Sequence, residues 1–268
     1  MARVQPVTFR VEVAAGRTVM DSDDHVVWRP GGMDGWILNL TEAGLGRIGR
    51  QGLEARPGRL ICFTPLAVHD YARHRGTGQW IHLWVYFFPR PGWYDLLVWE
   101  EVEPGILVLD LPEAERPAVE TLFQDLVAVQ RSAYARRDAL VHNLLEQILL
   151  RCDRCAATTV PGMDERIRRA VEACHEDLAR PWRVADLAKL AGLSASRFAH
   201  RFREVMGCAP VVFLEGLRMR AAAELLRCSG RRISTIAAEV GIADPAWFAQ
   251  RFRRWSGQTP RAFRQASR

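Results

Sequence analysis

An internal repeat in the last third of the chain constrains its fold more than any other sequence feature. Residues 187–210 read LAKLAGLSASRFAHRFREVMGCAP, and residues 236–260 read IAAEVGIADPAWFAQRFRRWSGQTP. From Phe198 and Phe248 onward both copies follow the pattern F-A-x-R-F-R-x-x-x-G-x-x-P. Each copy is a short apolar helix, a glycine and a second helix, and this order predicts two helix-turn-helix units.

The second helix of each copy has one apolar and one polar face. The apolar faces, predicted to be buried, are formed by Phe198, Phe202 and Val205 and by Phe248, Phe252 and Trp255. Gly192 and Gly241 are predicted to supply the left-handed turn before each second helix. The polar faces carry side chains suited to base edges and phosphates. We therefore predict DNA contacts from Ser196, Arg197, His200 and Arg201 in the first copy and from Trp247, Gln250, Arg251 and Arg254 in the second.

The positive charge of the chain is concentrated around the repeat. Residues 163–268 carry 20 Lys and Arg against 11 Asp and Glu, a net charge of +9. Residues 1–162 carry 17 Arg against 20 Asp and Glu, a net charge of −3. A helical bundle with a solvated basic face is the alternative interpretation. Two repeat copies within a segment of this charge favour a nucleic-acid-binding domain.

The N-terminal part of the chain has the pattern of a β-domain. Glycine- and proline-containing turn signals separate short runs of strand character, at residues 36–41, 59–63, 69–73 and 80–87. Strands at this spacing predict a β-sandwich or barrel. Helical periodicity follows at residues 117–132 and 136–151, and the second of these helices has a wide apolar stripe. Such a helix packs on its own domain or on a partner.

The run at residues 80–87, WIHLWVYF, has an unusual composition on one face. Strand alternation places Trp80, His82, Trp84 and Tyr86 together. Aromatic rings with polar groups are typical of a pocket for a polar, ring-shaped ligand. The alternative is that these rings simply fill the interior of a barrel, and periodicity alone leaves both open.

The second repeat copy and its flanks, ISTIAAEVGIADPAWFAQRFRRWSGQTPRAFR, resemble the signature of the AraC/XylS family of bacterial transcription regulators. One departure is Ile242, where the family usually has an aromatic residue. The segments DGWILNLTEAGLG, ARPGRLICFTPLAVHDYARH and QWIHLWVYFFPR, with the helix LVHNLLEQILLRC, resemble the sugar-binding half of arabinose-responsive family members. The resemblance covers nearly the whole chain.

This resemblance implies an α+β protein with two domains. Residues 1–155 would form a cupin-like β-barrel with a helical dimerisation element, residues 156–162 a linker, and residues 163–268 an all-α domain with two helix-turn-helix motifs. The implied function is sugar-responsive transcription regulation by a homodimer on operator DNA, in contact with RNA polymerase. The implied effector is L-arabinose or a similar monosaccharide, and no cofactor is expected.

The resemblance also implies individual residue roles. The positions that match the family's sugar contacts are Thr18, Arg29, Tyr71, His82 and Trp84. Phe9 matches an aromatic residue of an N-terminal arm that folds over bound sugar, although the arm is shorter here. In the dimerisation helix the matching residues are Asn143 and Leu150.

Other functions receive less support from the residues. Catalytic cupins carry His-x-His with a following Glu in an early strand, and the corresponding region here, NLTEAGLGRIGRQG, has no His. We therefore expect no metal site at His69, His74 and His82. Cys152 and Cys155 have zinc-like spacing without a second pair, and we interpret them as incidental. A sugar isomerase of cupin type and an architectural DNA-binding protein are the alternatives, and the repeat and the aromatic strand face argue against them respectively. The sequence shows neither an export signal nor a membrane-length apolar run, so we expect a cytoplasmic protein. It also shows no Gly-rich phosphate loop and no Ser-His-Asp or paired-carboxylate pattern, so we expect a protein that is not an enzyme.

Overall fold

The computed structural model describes residues 12–156 and 164–266, and the chain divides into two compact units, Met1–Met163 and Asp164–Arg268. Most of the linker predicted at 156–162 lies outside the described residues, as does Phe9.

The N-terminal unit is built on two antiparallel sheets. One has the strand order β1-β8-β3-β6-β10-β9 and the other β2-β7-β4-β5. The strands are β1 (Val13–Met20), β2 (Val26–Arg29), β3 (Trp36–Gly44), β4 (Gly46–Ile48), β5 (Leu53–Ala55), β6 (Arg59–Phe63), β7 (His69–Arg73), β8 (Trp80–Phe87), β9 (Glu100–Glu103) and β10 (Ile106–Asp110). The four strands predicted from sequence are confirmed, the first of them extending to Gly44.

The two sheets enclose a common interior, which is the cupin-like arrangement expected. Its buried side chains come from both sheets and include Tyr71, Trp80, Tyr86 and Phe63. The opposite face of β8, with Leu83 at 1% exposure, is buried as well. Strand β8 is therefore covered on both sides, with the aromatic and polar face inside the barrel and the aliphatic face outside it.

Two helices, α1 (Arg116–Gln130) and α2 (Arg137–Cys155), pack against each other, and α1 contacts β1 and β8. The apolar stripe of α2 divides in two. Leu145, Ile148 and Leu149 are fully buried, whereas Leu150 is 49% exposed.

The C-terminal unit contains only helices within the described residues 164–266. They are α3 (Glu165–Glu176), α4 (Val184–Leu190), α5 (Ala195–Met206), α6 (Pro210–Cys228), α7 (Ile233–Glu239), α8 (Pro245–Ser256) and α9 (Pro260–Ala266). The repeat copies correspond to α4–α5 and α7–α8, and the 19-residue α6 joins them. The predicted α+β fold class, with an all-α C-terminal domain, is confirmed.

Candidate nucleic-acid interface and effector site

Both repeat copies form the predicted helix-turn-helix with the same local devices. Gly192 and Gly241 have φ angles of +65° and +77°, the left-handed turn expected of each. Ser194 caps α5 by accepting a hydrogen bond from the backbone N–H of Arg197 at 3.4 Å. Asp244 caps α8 by accepting from the backbone N–H of Ala246 at 2.8 Å. Short polar side chains at these positions satisfy N–H groups that the helix itself leaves unpaired.

The buried faces of α5 and α8 largely follow the sequence prediction. Phe198, Phe202, Phe248 and Phe252 are completely buried. The third predicted positions, Val205 and Trp255, are only half-buried, because Met206 and Ser256 turn more directly into the core. The phenylalanine pairs fix the rotation of each helix and therefore which side chains face outward.

Most of the predicted DNA-contacting residues are exposed on the outward faces. Those on α5 are Ser196, Arg197, His200 and Arg201, and those on α8 are Trp247, Gln250 and Arg254. The His200 side chain is 79% exposed, and its Nε2 lies 3.1 Å from Oε1 of Glu204 one turn later. These side chains are in a position to meet the edges of a groove.

Two of the predicted DNA contacts, Arg201 and Arg251, are engaged within the unit. Arg201 donates to Asp164 at 3.0 Å and to Glu204 at 3.2 Å. Hydrogen bonds from Arg166 and Arg201 hold the pKa of Asp164 well below its usual range. This pair could not be predicted from the repeat pattern, because Asp164 lies outside the repeat.

Arg251, half-buried on α8, has a shorter ion-pair contact within the unit than Arg201. Its guanidinium donates to Glu215 of α6 at 2.5 Å and lies 4.4 Å from the ring centre of Trp247. Glu215 also falls outside both repeat copies and was not among the predicted site residues. The ion pair ties α8 to α6 and holds the indole of Trp247 against the guanidinium.

Arg218 of α6 joins the segment between α3 and α4 to the turn of the second helix-turn-helix unit. Its guanidinium donates to the backbone carbonyls of Leu178 at 3.2 Å and Arg180 at 2.6 Å. A Cβ on Gly241 would lie 2.8 Å from Nη2 of the same side chain. Desolvation by burial lowers the pKa of Arg218. The hydrogen bonds to the two carbonyl groups offset the free-energy cost of burying the charged guanidinium. Beside this junction, a cavity of about 130 Å³ is lined by residues that include Trp182, Leu214 and Trp247.

The exposed faces predict distinct effects for His200 and Gln250, which occupy equivalent positions in the two copies. Removing a base-reading side chain costs about 1–3 kcal/mol at its own base pair. We expect His200→Ala to relax sequence preference in one half of the subunit's site and Gln250→Ala to relax it in the other half. Binding-site selection with each variant measures this, each serving as the control for the other. Unchanged selected motifs would show that these faces do not read bases.

Salt dependence separates a phosphate contact from an internal ion pair. Arg254 is exposed and has no ion-pair partner among the described residues, whereas Arg251 is held by Glu215. Each phosphate contact contributes about 0.9 to the slope of log K against log salt. We expect Arg254→Ala to lower the slope by roughly that amount and Arg251→Met to leave it unchanged. A slope lowered equally by both would assign Arg251 to the phosphates.

The predicted sugar contacts lie on adjoining strands inside the barrel. Thr18 of β1 and Thr41 of β3 flank His82 of β8 in register. Nε1 of Trp84 donates to Oγ1 of Thr18 at 3.0 Å. Nε1 of Trp80 donates to Oγ1 of Thr41, also at 3.0 Å. The two threonines thus orient two indole rings in the same interior.

Arg29, His69 and Tyr71 lie on the paired strands β2 and β7. Nη1 of Arg29 lies 3.2 Å from Nδ1 of His69 and donates to the Tyr71 hydroxyl at 3.5 Å. The Tyr71 ring meets the His82 ring edge to face, with centroids 6.0 Å apart. The predicted residues of the two sheets therefore come together, and His69 joins them although the family match did not include it.

The buried histidines of this site are uncharged at neutral pH. Desolvation is the main cause that lowers the pKa of His69 to about 3, with Arg29 adding to the effect. Desolvation likewise lowers the pKa of His82 to about 3. Because Arg29 can only donate, Nδ1 of His69 is the acceptor of that contact and its Nε2 carries the N–H donor. The neutral ring of His82 has one N–H donor and one acceptor nitrogen, and both rings therefore suit hydroxyl groups.

The two residues matched to the dimerisation helix, Asn143 and Leu150, are both exposed on α2. No cluster of metal-binding side chains occurs within residues 12–156 or 164–266. Among the helices of those same ranges, none combines the length and apolarity needed to cross a bilayer. Cys152 is buried and Cys155 partly buried, and neither forms a disulfide.

Known proteins resemble both units of the chain. The model of the helix-turn-helix domain family matches residues 187–266. The chain is 33% identical over 264 residues to the arabinose operon regulatory protein of Escherichia coli K12, covering 96% of this chain and 90% of that one. It is also 33% identical to the arabinose operon regulatory protein of Salmonella typhimurium LT2, covering 96% and 94%.

Two helix-turn-helix units on a basic domain, with these relatives, define a DNA-binding transcription regulator. Within that class, the chain belongs to the AraC/XylS family.

Proposed function

We propose that the protein is a homodimeric regulator whose DNA binding responds to a monosaccharide held in the N-terminal barrel, with L-arabinose the first candidate. It acts in the cytoplasm on operator DNA and contacts RNA polymerase there. The observation that carries the proposal is the convergence of Arg29, Tyr71, His82 and Trp84 on one interior. Both of the relatives reported above are named as arabinose operon regulators.

The chemistry of this interior suits a small sugar. An indole ring offers a flat apolar face to the C–H side of a pyranose. Arg29 supplies donors only, while the neutral histidines and the tyrosine hydroxyl can donate and accept. A sugar bound there shifts the population between dimer geometries, provided that it binds them with different affinities.

A thermal-shift screen of monosaccharides on the purified full-length chain tests the effector. A ligand at 100 times its Kd stabilises the native state by about 2.7 kcal/mol. We expect L-arabinose to raise the melting temperature, and D-galactose and D-fucose serve as close stereochemical comparisons. If a different monosaccharide alone raises the melting temperature, that sugar takes the place of L-arabinose as the proposed effector. If no monosaccharide raises it, the proposal is contradicted.

Helix α2 offers a surface for the proposed dimer. Leu140 and Leu150 are 37% and 49% exposed, and Asn143 and Gln147 lie between them on the same face, hydrogen-bonded to each other at 2.8 Å. The spacing of three, four and three residues is that of a coiled-coil seam. An exposed seam of this kind gains stability by packing against a second copy.

Replacing Leu150 with Glu should therefore produce monomers. Packing two copies along this seam would bury the carboxylate introduced into each copy, which is unfavourable. The variant should still bind sugar and should bind paired half-sites more weakly than the wild type. Leu190→Glu is the matched control, because Leu190 is 42% exposed on the C-terminal unit. Sedimentation showing an unchanged Leu150→Glu dimer, or a monomeric wild type at micromolar concentration, would refute the proposed interface.

A further inference from the structure

Asn39 is a polar residue inside the barrel, and no contact within the fold explains why a polar side chain lies at this position. It lies on β3 between Trp84 of β8 and Ile61 of β6, in register with both. It shares its strand face with Ile37 and Thr41. Ile37 and Ile61 belong to the buried interior cluster, and the partly buried Trp84 packs against that cluster. Asn39 is only 2% exposed. Its amide is therefore directed into the enclosed interior.

Both polar atoms of this amide lack a partner. Nδ2 and Oδ1 of Asn39 are buried without a hydrogen bond to any described residue. Thr41, two residues along the same face, differs because its hydroxyl accepts from Trp80 at 3.0 Å. A buried primary amide without a partner destabilises a fold, and asparagine also has a low preference for strands. An apolar residue would serve the apo fold better.

The indole of Trp84 leans away from Asn39. A Cβ on Gly16 of β1 would lie 2.7 Å from Cζ2 of Trp84, so the ring covers Gly16. Its Nε1 binds Thr18 on the same strand. Since β1 and β3 flank β8 on opposite sides, the ring stands over β1 and leaves the amide of Asn39 facing the interior beside it.

Two further atoms of the same interior are also without partners. Nε2 of His69 and Nδ1 of His82 are buried and make no hydrogen bond to any residue that the structure describes. Both rings lie about 6 Å from the ring of Tyr71, with centroid distances of 6.1 and 6.0 Å. The unpaired set consists of neutral donors and acceptors, which complement hydroxyl groups better than a charged group.

We infer that Asn39 is a binding residue of the effector site and takes up two adjacent hydroxyls of a neutral monosaccharide, one accepting from Nδ2 and the other donating to Oδ1. The inference rests on the proposed function, which it deepens by adding the residue that recognises a vicinal diol. His69 Nε2 and His82 Nδ1 supply the remaining polar contacts of that part of the interior.

The stability of the sugar-free protein provides one test. Asn39→Leu is close in shape and removes the unpaired amide, and Asn39→Val is a smaller second variant. We expect at least one of them to raise the melting transition of the N-terminal unit in the full-length chain, by roughly 3 °C. Thr41→Val is the matched control and should lower it, because Nε1 of Trp80 would lose its acceptor. Destabilisation by all three variants would make Asn39 structural and overturn the inference.

Calorimetry with L-arabinose and its 2-deoxy, 3-deoxy and 4-deoxy analogues provides the other test. Both Asn39 variants should weaken L-arabinose binding by roughly tenfold or more. At least one deoxy analogue should have a lower affinity for the wild type than L-arabinose has. For Asn39→Leu, the affinity of the same analogue should be no lower than that of L-arabinose. Binding unchanged in both variants would overturn the inference while leaving the proposed effector in place. A wild type that binds none of these sugars would contradict the proposed effector instead, and the stability comparison would then decide the role of Asn39.

Discussion

Replacing Trp84 with Ala is expected to weaken sugar binding strongly while leaving DNA binding without sugar intact. The ring lies over Gly16 and is oriented by Thr18, so the substitution removes the flat face on which a pyranose would stack. Loss of a central aromatic anchor costs about 2–4 kcal/mol of binding free energy, which corresponds to roughly 30- to 1,000-fold in Kd. Calorimetry with L-arabinose measures the loss, and gel shifts on operator DNA measure what remains.

Trp28 provides the matched control for this experiment. It is also a tryptophan of the N-terminal unit, but it is 56% exposed on β2 and outside the interior cluster. Trp28→Ala should bind sugar as the wild type does. If Trp84→Ala binds sugar with wild-type affinity, the pocket is wrongly placed.

The second large effect is expected at the turn of the second repeat copy. A Cβ on Gly241 would lie 2.6 Å from the carbonyl oxygen of Ala179 and 2.8 Å from Nη2 of Arg218. Gly241→Ala would therefore have two penalties: an alanine in a left-handed backbone conformation, and a steric clash with Ala179 and Arg218. We expect a loss of about 3 kcal/mol or more in the free energy of unfolding of the C-terminal unit, with loss of specific DNA binding.

The equivalent glycine of the first copy separates these two causes. Gly192 has φ +65°, but an added Cβ would meet nothing within 4 Å. Gly192→Ala should cost only the left-handed backbone term, about 1–2 kcal/mol. Denaturant unfolding followed by helical circular dichroism compares the two variants. Equal losses would mean that the junction around Arg218 does not constrain the second turn.

The sequence predicted the helix-turn-helix units well because their determinants are local. A glycine in the turn and two phenylalanines four residues apart fix each unit, and both signals occur twice. The strand at 80–87 was also predictable, since alternation alone separates Trp84 and His82 from the aliphatic face. What these local patterns could not give was any contact between distant elements.

Three features of the sites depend on such contacts. Glu215 and Asp164 hold recognition-helix arginines from outside the repeat, so the repeat pattern assigned Arg251 and Arg201 to DNA without showing their internal partners. The apolar stripe of α2 predicted burial but not which leucines pack on the barrel and which, like Leu150, stay exposed. Asn39 becomes informative only once the strand register places it opposite Trp84.

The coupling between sugar binding and DNA binding is the most direct test of the proposed function. Fluorescence anisotropy would measure the affinity of the full-length wild type for a selected paired half-site, with and without saturating L-arabinose, and the same ratio for Trp84→Ala. Allosteric coupling free energies of about 1–3 kcal/mol correspond to roughly 5- to 150-fold changes in affinity. We expect a ratio in that range for the wild type and a ratio much closer to one for Trp84→Ala. A wild type that binds the sugar yet shows the same DNA affinity in its presence and absence would contradict the proposed function.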